Sequence, residues 1–127
     1  MRLAYVAGPF TAPTPEGIEA NVDRAAMVAS DLWRAGLGCF LPHANSGMFF
    51  GLCDEERFMQ FDLAMLAHCD CVVVVPHERG TSAGTEREIA EAEELCIPIF
   101  YSTDEAIAWS KRIMVPRRVG LTLVKGE

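Results

Sequence analysis

The residues with the clearest capacity for chemistry lie between Asp62 and Glu88. The spacing predicts a helix ending by Asp70, an apolar strand stopped by Pro76, and a loop carrying Gly80, Ser82 and Gly84. A second helix then opens and bears Glu88 about one turn in. Free backbone N–H groups and the helix dipole favour negative charge at such a loop, at the end of a buried strand. The carboxylate beside that anion pocket is the feature to explain. A hydroxyl at Ser82 and a carboxylate at Glu88 can hold a hydroxylated or phosphorylated sugar against a nucleophile. Breaking a glycosidic bond through a covalent intermediate needs that nucleophile and a proton source for the leaving group. Asp62 is the candidate for the second role. Each residue also has a plainer reading. Glu88 can be a helix-start carboxylate favoured by the dipole, and Asp62 a residue of a polar helix face. Asp62 follows Phe61 directly and Phe58 by four, which places it near the apolar face.

Other chemistries lack their residues. There is no G-x-x-x-x-G-K-[ST] and no G-x-G-x-x-G after the first strand, so neither P-loop hydrolysis nor a dinucleotide fingerprint is expected. There is no G-x-S-x-G elbow. No cysteine has an arginine six positions on, and the first strand does not end in an acidic pair. His43, His68 and His77 show no ligand spacing and read as loop or cap residues. Cys69-Asp70-Cys71 is C-x-C without a matching pair, so neither zinc nor any other metal or cofactor is expected.

The elements that must position these groups follow from the apolar pattern. Strands are expected at Leu3–Ala7, Gly38–Leu41, Cys71–Val75 and Ile97–Tyr101, with a fifth at Val119–Val124. Helices are expected over Ile18–Arg34, Asp54–His68, Gly84–Leu95 and Thr103–Arg112. The first has Ile18, Val22, Ala25, Ala29 and Leu32 on one face, with Thr14-Pro15-Glu16 as its start signal and Gly36 as its stop. Asp54 can cap the second, which turns Phe58, Phe61 and Met65 inward. Residues 43–53 read as a loop with two exposed phenylalanines, Phe49 and Phe50. Strands alternating with helices imply an α/β, doubly wound parallel sheet of about five strands with helices on both faces. The consecutive valines of the third strand suit burial on both faces. In such a sheet the loops after strands one and three meet at the switch point of strand order. Gly8, Pro9 and Phe10 are therefore expected to face Gly80–Gly84 across one crevice. Glu86 lies two residues from Glu88, about 200° around the helix, and is expected to point away from it.

At 127 residues the chain is the size of a single domain, residues 1–127. A net charge of −7 argues against binding nucleic-acid polymers. No apolar run approaches the ~20 residues of a membrane helix, and Gly8-Pro9 interrupts the N-terminal run too early for a signal peptide. Of the five cysteines, Cys39, Cys69, Cys71 and Cys96 sit in or beside apolar segments, which suits buried thiols in the cytoplasm. Lys111, Arg112, Arg117 and Arg118 form a basic cluster, either a solvated helix end or a phosphate contact in a neighbouring subunit.

Three blocks carry a family resemblance. Tyr5-Val6-Ala7-Gly8-Pro9-Phe10, the pattern D-x-x-x-L-x-x-C-D-x-V-V-V over Asp62–Val74, and S-x-G-x-x-x-E over Ser82–Glu88 occur in that order. Together they resemble the nucleoside 2-deoxyribosyltransferase superfamily, which includes nucleoside 5′-monophosphate N-glycosidases and small phage and bacterial relatives. The resemblance implies cleavage of an N-glycosidic bond with Glu88 as nucleophile. It implies that Tyr5 orients that carboxylate and that Asp62 contacts or protonates the base. Gly8 would let the backbone approach the sugar. A serine at Ser82, where members acting on free nucleosides usually have an acid, implies a 5′-monophosphate substrate and hydrolysis. The alternatives are transfer between free nucleosides, or a non-catalytic nucleotide-binding module of the same fold. The resemblance also implies a homo-oligomer, a dimer or higher, whose sites a neighbour completes, and Phe49 and Phe50 would need burial of that kind.

Overall fold

The computed structural model describes residues 1–77 and 80–112. Its elements are β1 (Leu3–Ala7), α1 (Pro15–Arg34), β2 (Gly38–Phe40), α2 (Pro42–Met48), α3 (Glu55–Leu66), β3 (Cys71–Val74), α4 (Ala83–Glu94), β4 (Ile99–Phe100) and α5 (Thr103–Ser110). The strands form a parallel sheet in the order β2-β1-β3-β4. Four strands are present among the described residues. The fifth expected strand, Val119–Val124, lies outside them, as do Arg117 and Arg118.

Alternation along the strands builds two apolar layers. Ala4, Val6, Cys71 and Val73 pack on one face with Ala25, Val28, Ala29 and Leu32 of α1 and Ala106 of α5. Tyr5, Ala7, Val72 and Val74 pack on the other with Leu66 of α3 and Ile89 and Ala92 of α4. The chain therefore leaves β1 toward one face and β3 toward the other. The crevice between these neighbouring strands is the switch point, where ligands bind in open α/β sheets.

Local signals set most boundaries. The Thr14 hydroxyl accepts from the Gly17 N–H at 3.1 Å and Pro15 occupies the first turn of α1. Gly36, at φ +100°, closes that helix: its N–H reaches the Trp33 carbonyl and the Leu37 N–H that of Leu32, the Schellman pattern. Asp54 caps α3 through the Arg57 N–H at 2.8 Å.

Four expectations are corrected. Residues 43–53 are not one loop, because Pro42–Met48 is helical. Pro42 fixes the backbone of its first turn, and buried His43 anchors it to the β1–α1 connection, against the weak helix propensity of its glycine and asparagine. Phe61 is 45 % exposed, because Asp62 and Leu66 are the buried positions of α3. It rests edge-on against Phe40, with ring centroids 6.2 Å apart. Cys96 is exposed, and its φ of +57° closes α4 in the position usually given to glycine. Cys39 is half-buried. Among the described residues no helix is long and apolar enough to cross a membrane.

Candidate active site

Tyr5 alternates onto the sheet face that α3 and α4 cover, and is fully buried there. Its hydroxyl donates a hydrogen bond to Glu88 of α4. Glu88 and Asp62 are each 5 % exposed, and both line a cavity of about 400 Å³ with Gly8, Phe10, His43 and Ser82. The loops after β1 and β3 and three helices thus bring their groups to one cleft at the carboxyl edge of the sheet. Gly8 and Phe10 meet Ser82 and Gly84 across it. Pro9 contributes its carbonyl, which accepts from His43.

The electrostatics follow from burial. Loss of water pushes the Glu88 carboxyl up to about 7. Tyr5 opposes the shift by donating to it, and the negative Asp62 nearby adds to it. Burial likewise raises Asp62 to about 6. Both carboxyls therefore take up a proton at higher pH than usual, and the charge on Asp62 makes Glu88 harder to ionise. One Asp62 oxygen, Oδ1, is buried without a hydrogen-bond partner. The Tyr5 hydroxyl is held far above its ordinary range, mainly by burial and then by Glu88, and stays a donor.

The sequence suggests a loop or cap residue at His43, and the structure gives it a place in the cleft. Its Nε2 lies 2.9 Å from the Pro9 carbonyl. A carbonyl only accepts, so Nε2 carries the hydrogen. Burial lowers the ring's pKa against the pull of the Pro9 and Gly8 carbonyls, so the ring is neutral and Nδ1 is a bare acceptor. That nitrogen is buried and has no partner. The available signal was its position directly after β2, at the same carboxyl edge as the loops after β1 and β3.

Ser82 is the N-cap of α4. Its Oγ accepts from the Thr85 N–H at 3.1 Å and lies 2.9 Å from the Thr85 hydroxyl. One hydroxyl can accept these and still donate into the cleft. Glu86 is exposed, accepts from the Thr81 hydroxyl, and lines no part of the cavity. Gly8 is needed for packing as well as for access: a Cβ there would meet Val75 at 2.9 Å. Phe50 joins the rim, its ring 6.3 Å from that of Phe10. Outside the cleft, Arg87 grips Glu56 through two bonds of 2.8 Å and links the helices that carry Glu88 and Asp62. Both side chains are about half exposed, so water screens the pair and it adds little to stability. No group of three potential metal ligands occurs among the described residues.

Residues 2–102 match the family described as a domain of unknown function, DUF7768. The chain belongs to that family. No curated protein matches this DUF7768 chain. Among solved structures it is similar to a conserved protein from Enterococcus faecalis V583, with a TM-score of 0.63 and 20% identity over 78% of this chain and 61% of that one. It is similar also to a 2-deoxyribosyltransferase from Bacillus psychrosaccharolyticus, with a TM-score of 0.57 and 22% identity over 76% and 69% of the two chains. A third similar structure is a 2-deoxyribosyltransferase from Leishmania mexicana, with a TM-score of 0.54 and 16% identity over 78% and 62%. The DUF7768 chain therefore spans about three fifths of the Enterococcus and Leishmania proteins. At these identities the likeness is one of fold, shared with the two 2-deoxyribosyltransferases.

Proposed function

We propose that the chain hydrolyses the N-glycosidic bond of a nucleoside 5′-monophosphate. The observation that carries this reading is the hydrogen bond from buried Tyr5 to Glu88, inside a cleft that also holds Asp62. The reactive form has Glu88 ionised and Asp62 protonated, the minority arrangement of the pair given their values of about 7 and about 6. In it Glu88 attacks the anomeric carbon, and the bond from that carbon to the base nitrogen breaks. Its electron pair leaves with the base, which takes a proton from Asp62. Water then attacks the same carbon and gives its proton to Asp62, and the sugar phosphate departs as Glu88 regains its charge. Tyr5 fixes the attacking oxygen. The buried acceptor on His43 and the unpartnered oxygen of Asp62 suit the polar edge of a base. Ser82 and the free N–H groups at the start of α4 suit the phosphate.

Transfer of the sugar to a second base uses the same covalent intermediate. The similarity to two 2-deoxyribosyltransferases favours that second reading, on free nucleosides. Incubation with the common nucleosides and their 5′-monophosphates, read for free base, separates the two. Base release from monophosphates that vanishes in Glu88→Ala is expected. Exchange between a nucleoside and an added base, without release from monophosphates, favours the transferase. Tight binding with neither reaction leaves a nucleotide-binding module.

A further inference from the structure

A second cavity adjoins the first and plays no part in the reaction proposed above. It has a volume of about 560 Å³ and opens on the α1 side of the crevice. Thr11 and Ser82 line both cavities, so the two meet across those residues. The chain as a whole carries a net charge of −7. Yet among the described residues no Asp or Glu lines this cavity, whereas Arg24 and His77 do. The N-caps of two long helices, Thr14 and Ser82, lie on its wall.

Arg24 is set in place by a buried neighbour. The Asn21 side chain is 7 % exposed and donates its amide hydrogens to the carbonyls of Phe10 and Thr11, at 3.1 and 3.3 Å. Its oxygen is thereby left to accept from one arm of Arg24. Asn21 is the one hydrogen-bond partner of Arg24 among the described residues. Of the five donors of a guanidinium, most therefore stay available on a half-buried stem. The same amide ties Arg24 to the loop whose Phe10 and Thr11 wall the first cavity.

We propose that this second cavity takes a further phosphate of the substrate, so that the preferred ligand carries a 5′-diphosphate group. The inference rests on the nucleotide reading above. The first phosphate sits at Ser82 and the start of α4, and the next passes Thr11 to meet Arg24. A rigid, planar guanidinium matches a phosphate with two parallel bonds, and among the described residues no carboxylate lines the wall to oppose it. A nucleoside di- or triphosphate presents the group at its end, and a pyrophosphate-linked dinucleotide presents it internally.

The test is titration calorimetry on the Glu88→Gln protein, which holds ligands without turnover. The ligands are nucleoside 5′-mono- and diphosphates of each common base, a pyrophosphate-linked dinucleotide, and inorganic pyrophosphate. The diphosphate is expected to bind at least about tenfold more tightly than the monophosphate of the same base, the range of one charge-assisted contact. Adding Arg24→Gln should erase that gain and leave the monophosphate within about twofold, while Arg24→Lys should keep part of it. A dinucleotide that binds like the diphosphate assigns the cavity an internal pyrophosphate, and one that binds like the monophosphate assigns it a terminal one. Equal binding of mono- and diphosphate overturns the inference and leaves the proposed function standing. So does an equal loss of both in Arg24→Gln. Pyrophosphate binding that Arg24→Gln removes, with no nucleotide bound, overturns the proposed function and keeps the anion site.

Discussion

The Tyr5 hydroxyl, on the second residue of the central strand β1 to be buried, donates to the Glu88 carboxyl on α4, a partner 83 positions away in the sequence. The bond opposes the effect of burial on Glu88, which otherwise favours the uncharged acid. Tyr5→Phe keeps the ring and removes the donor. We expect base release to fall about tenfold to a hundredfold, the range for a hydrogen bond to a charged group, and the acid limb of the pH–rate profile to move to higher pH. Measured profiles of both proteins check this. Equal rates with an unmoved limb would show that the phenol only fills space.

The raised Glu88 carboxyl has a consequence for stability. Its ordinary value is 4.5 and its folded value about 7. Between these the folded chain keeps a proton that the unfolded chain releases, so stability falls as pH rises through this window. The stabilisation is complete below 4.5 and lost above about 7. Glu88→Gln lacks this dependence. Thermal melts should therefore show the variant gaining on the parent from pH 5 to pH 8, by on the order of 2 kcal/mol. Asp62, raised in the same direction, adds its own slope to both proteins. A constant gap between the two curves would mean that Glu88 titrates normally.

Ser82 carries two duties, as cap and as ligand group. Ser82→Ala should cost about 1 kcal/mol of stability through the lost cap on Thr85. It should also weaken a monophosphate by roughly tenfold to a hundredfold and leave the free nucleoside almost unaffected. Denaturation and binding measurements separate the two effects. Equal weakening of nucleoside and monophosphate would remove the phosphate role and bring the transferase reading forward.

Met48 at the end of α2 and Phe49, Phe50 and Leu52 between α2 and α3 are exposed, and Phe61 lies exposed on α3. An apolar patch of this kind beside a cleft marks an interaction surface. We expect a homodimer by light scattering at micromolar concentration, and Phe50→Ser with Leu52→Ser to shift it toward monomer. A monomeric mass for the parent chain would contradict this.

The legible part of the molecule is its local part. The Thr14 and Asp54 caps, the Gly36 stop and the valine run of β3 depend on neighbours within a turn or on burial on both faces, and each is written in adjacent residues. The meeting of Gly8 and Phe10 with Ser82 and Gly84 follows from the switch point alone. What escaped depends on distant partners. His43 gains its helix and its role from the Pro9 carbonyl, 34 positions earlier. Asn21 is buried because its amide meets the Phe10 and Thr11 carbonyls, eleven and ten positions earlier. The spacing of Phe58, Phe61 and Met65 points Phe61 inward, whereas Asp62 and Leu66 take the buried face of α3. A buried carboxylate is costly and is not counted by hydrophobic periodicity, so the pattern assigns the face to its aromatic neighbour although Asp62 lies beside it.

The central claim is that Glu88 is the nucleophile, and turnover by Glu88→Gln tests it most directly. The amide keeps the shape, can still receive the Tyr5 hydrogen bond through its oxygen, and cannot attack the anomeric carbon. Free base released from the monophosphate that the parent cleaves best should fall by several orders of magnitude, roughly a thousandfold or more, in a protein that melts no lower than its parent. Near-normal base release from the folded variant would contradict the account.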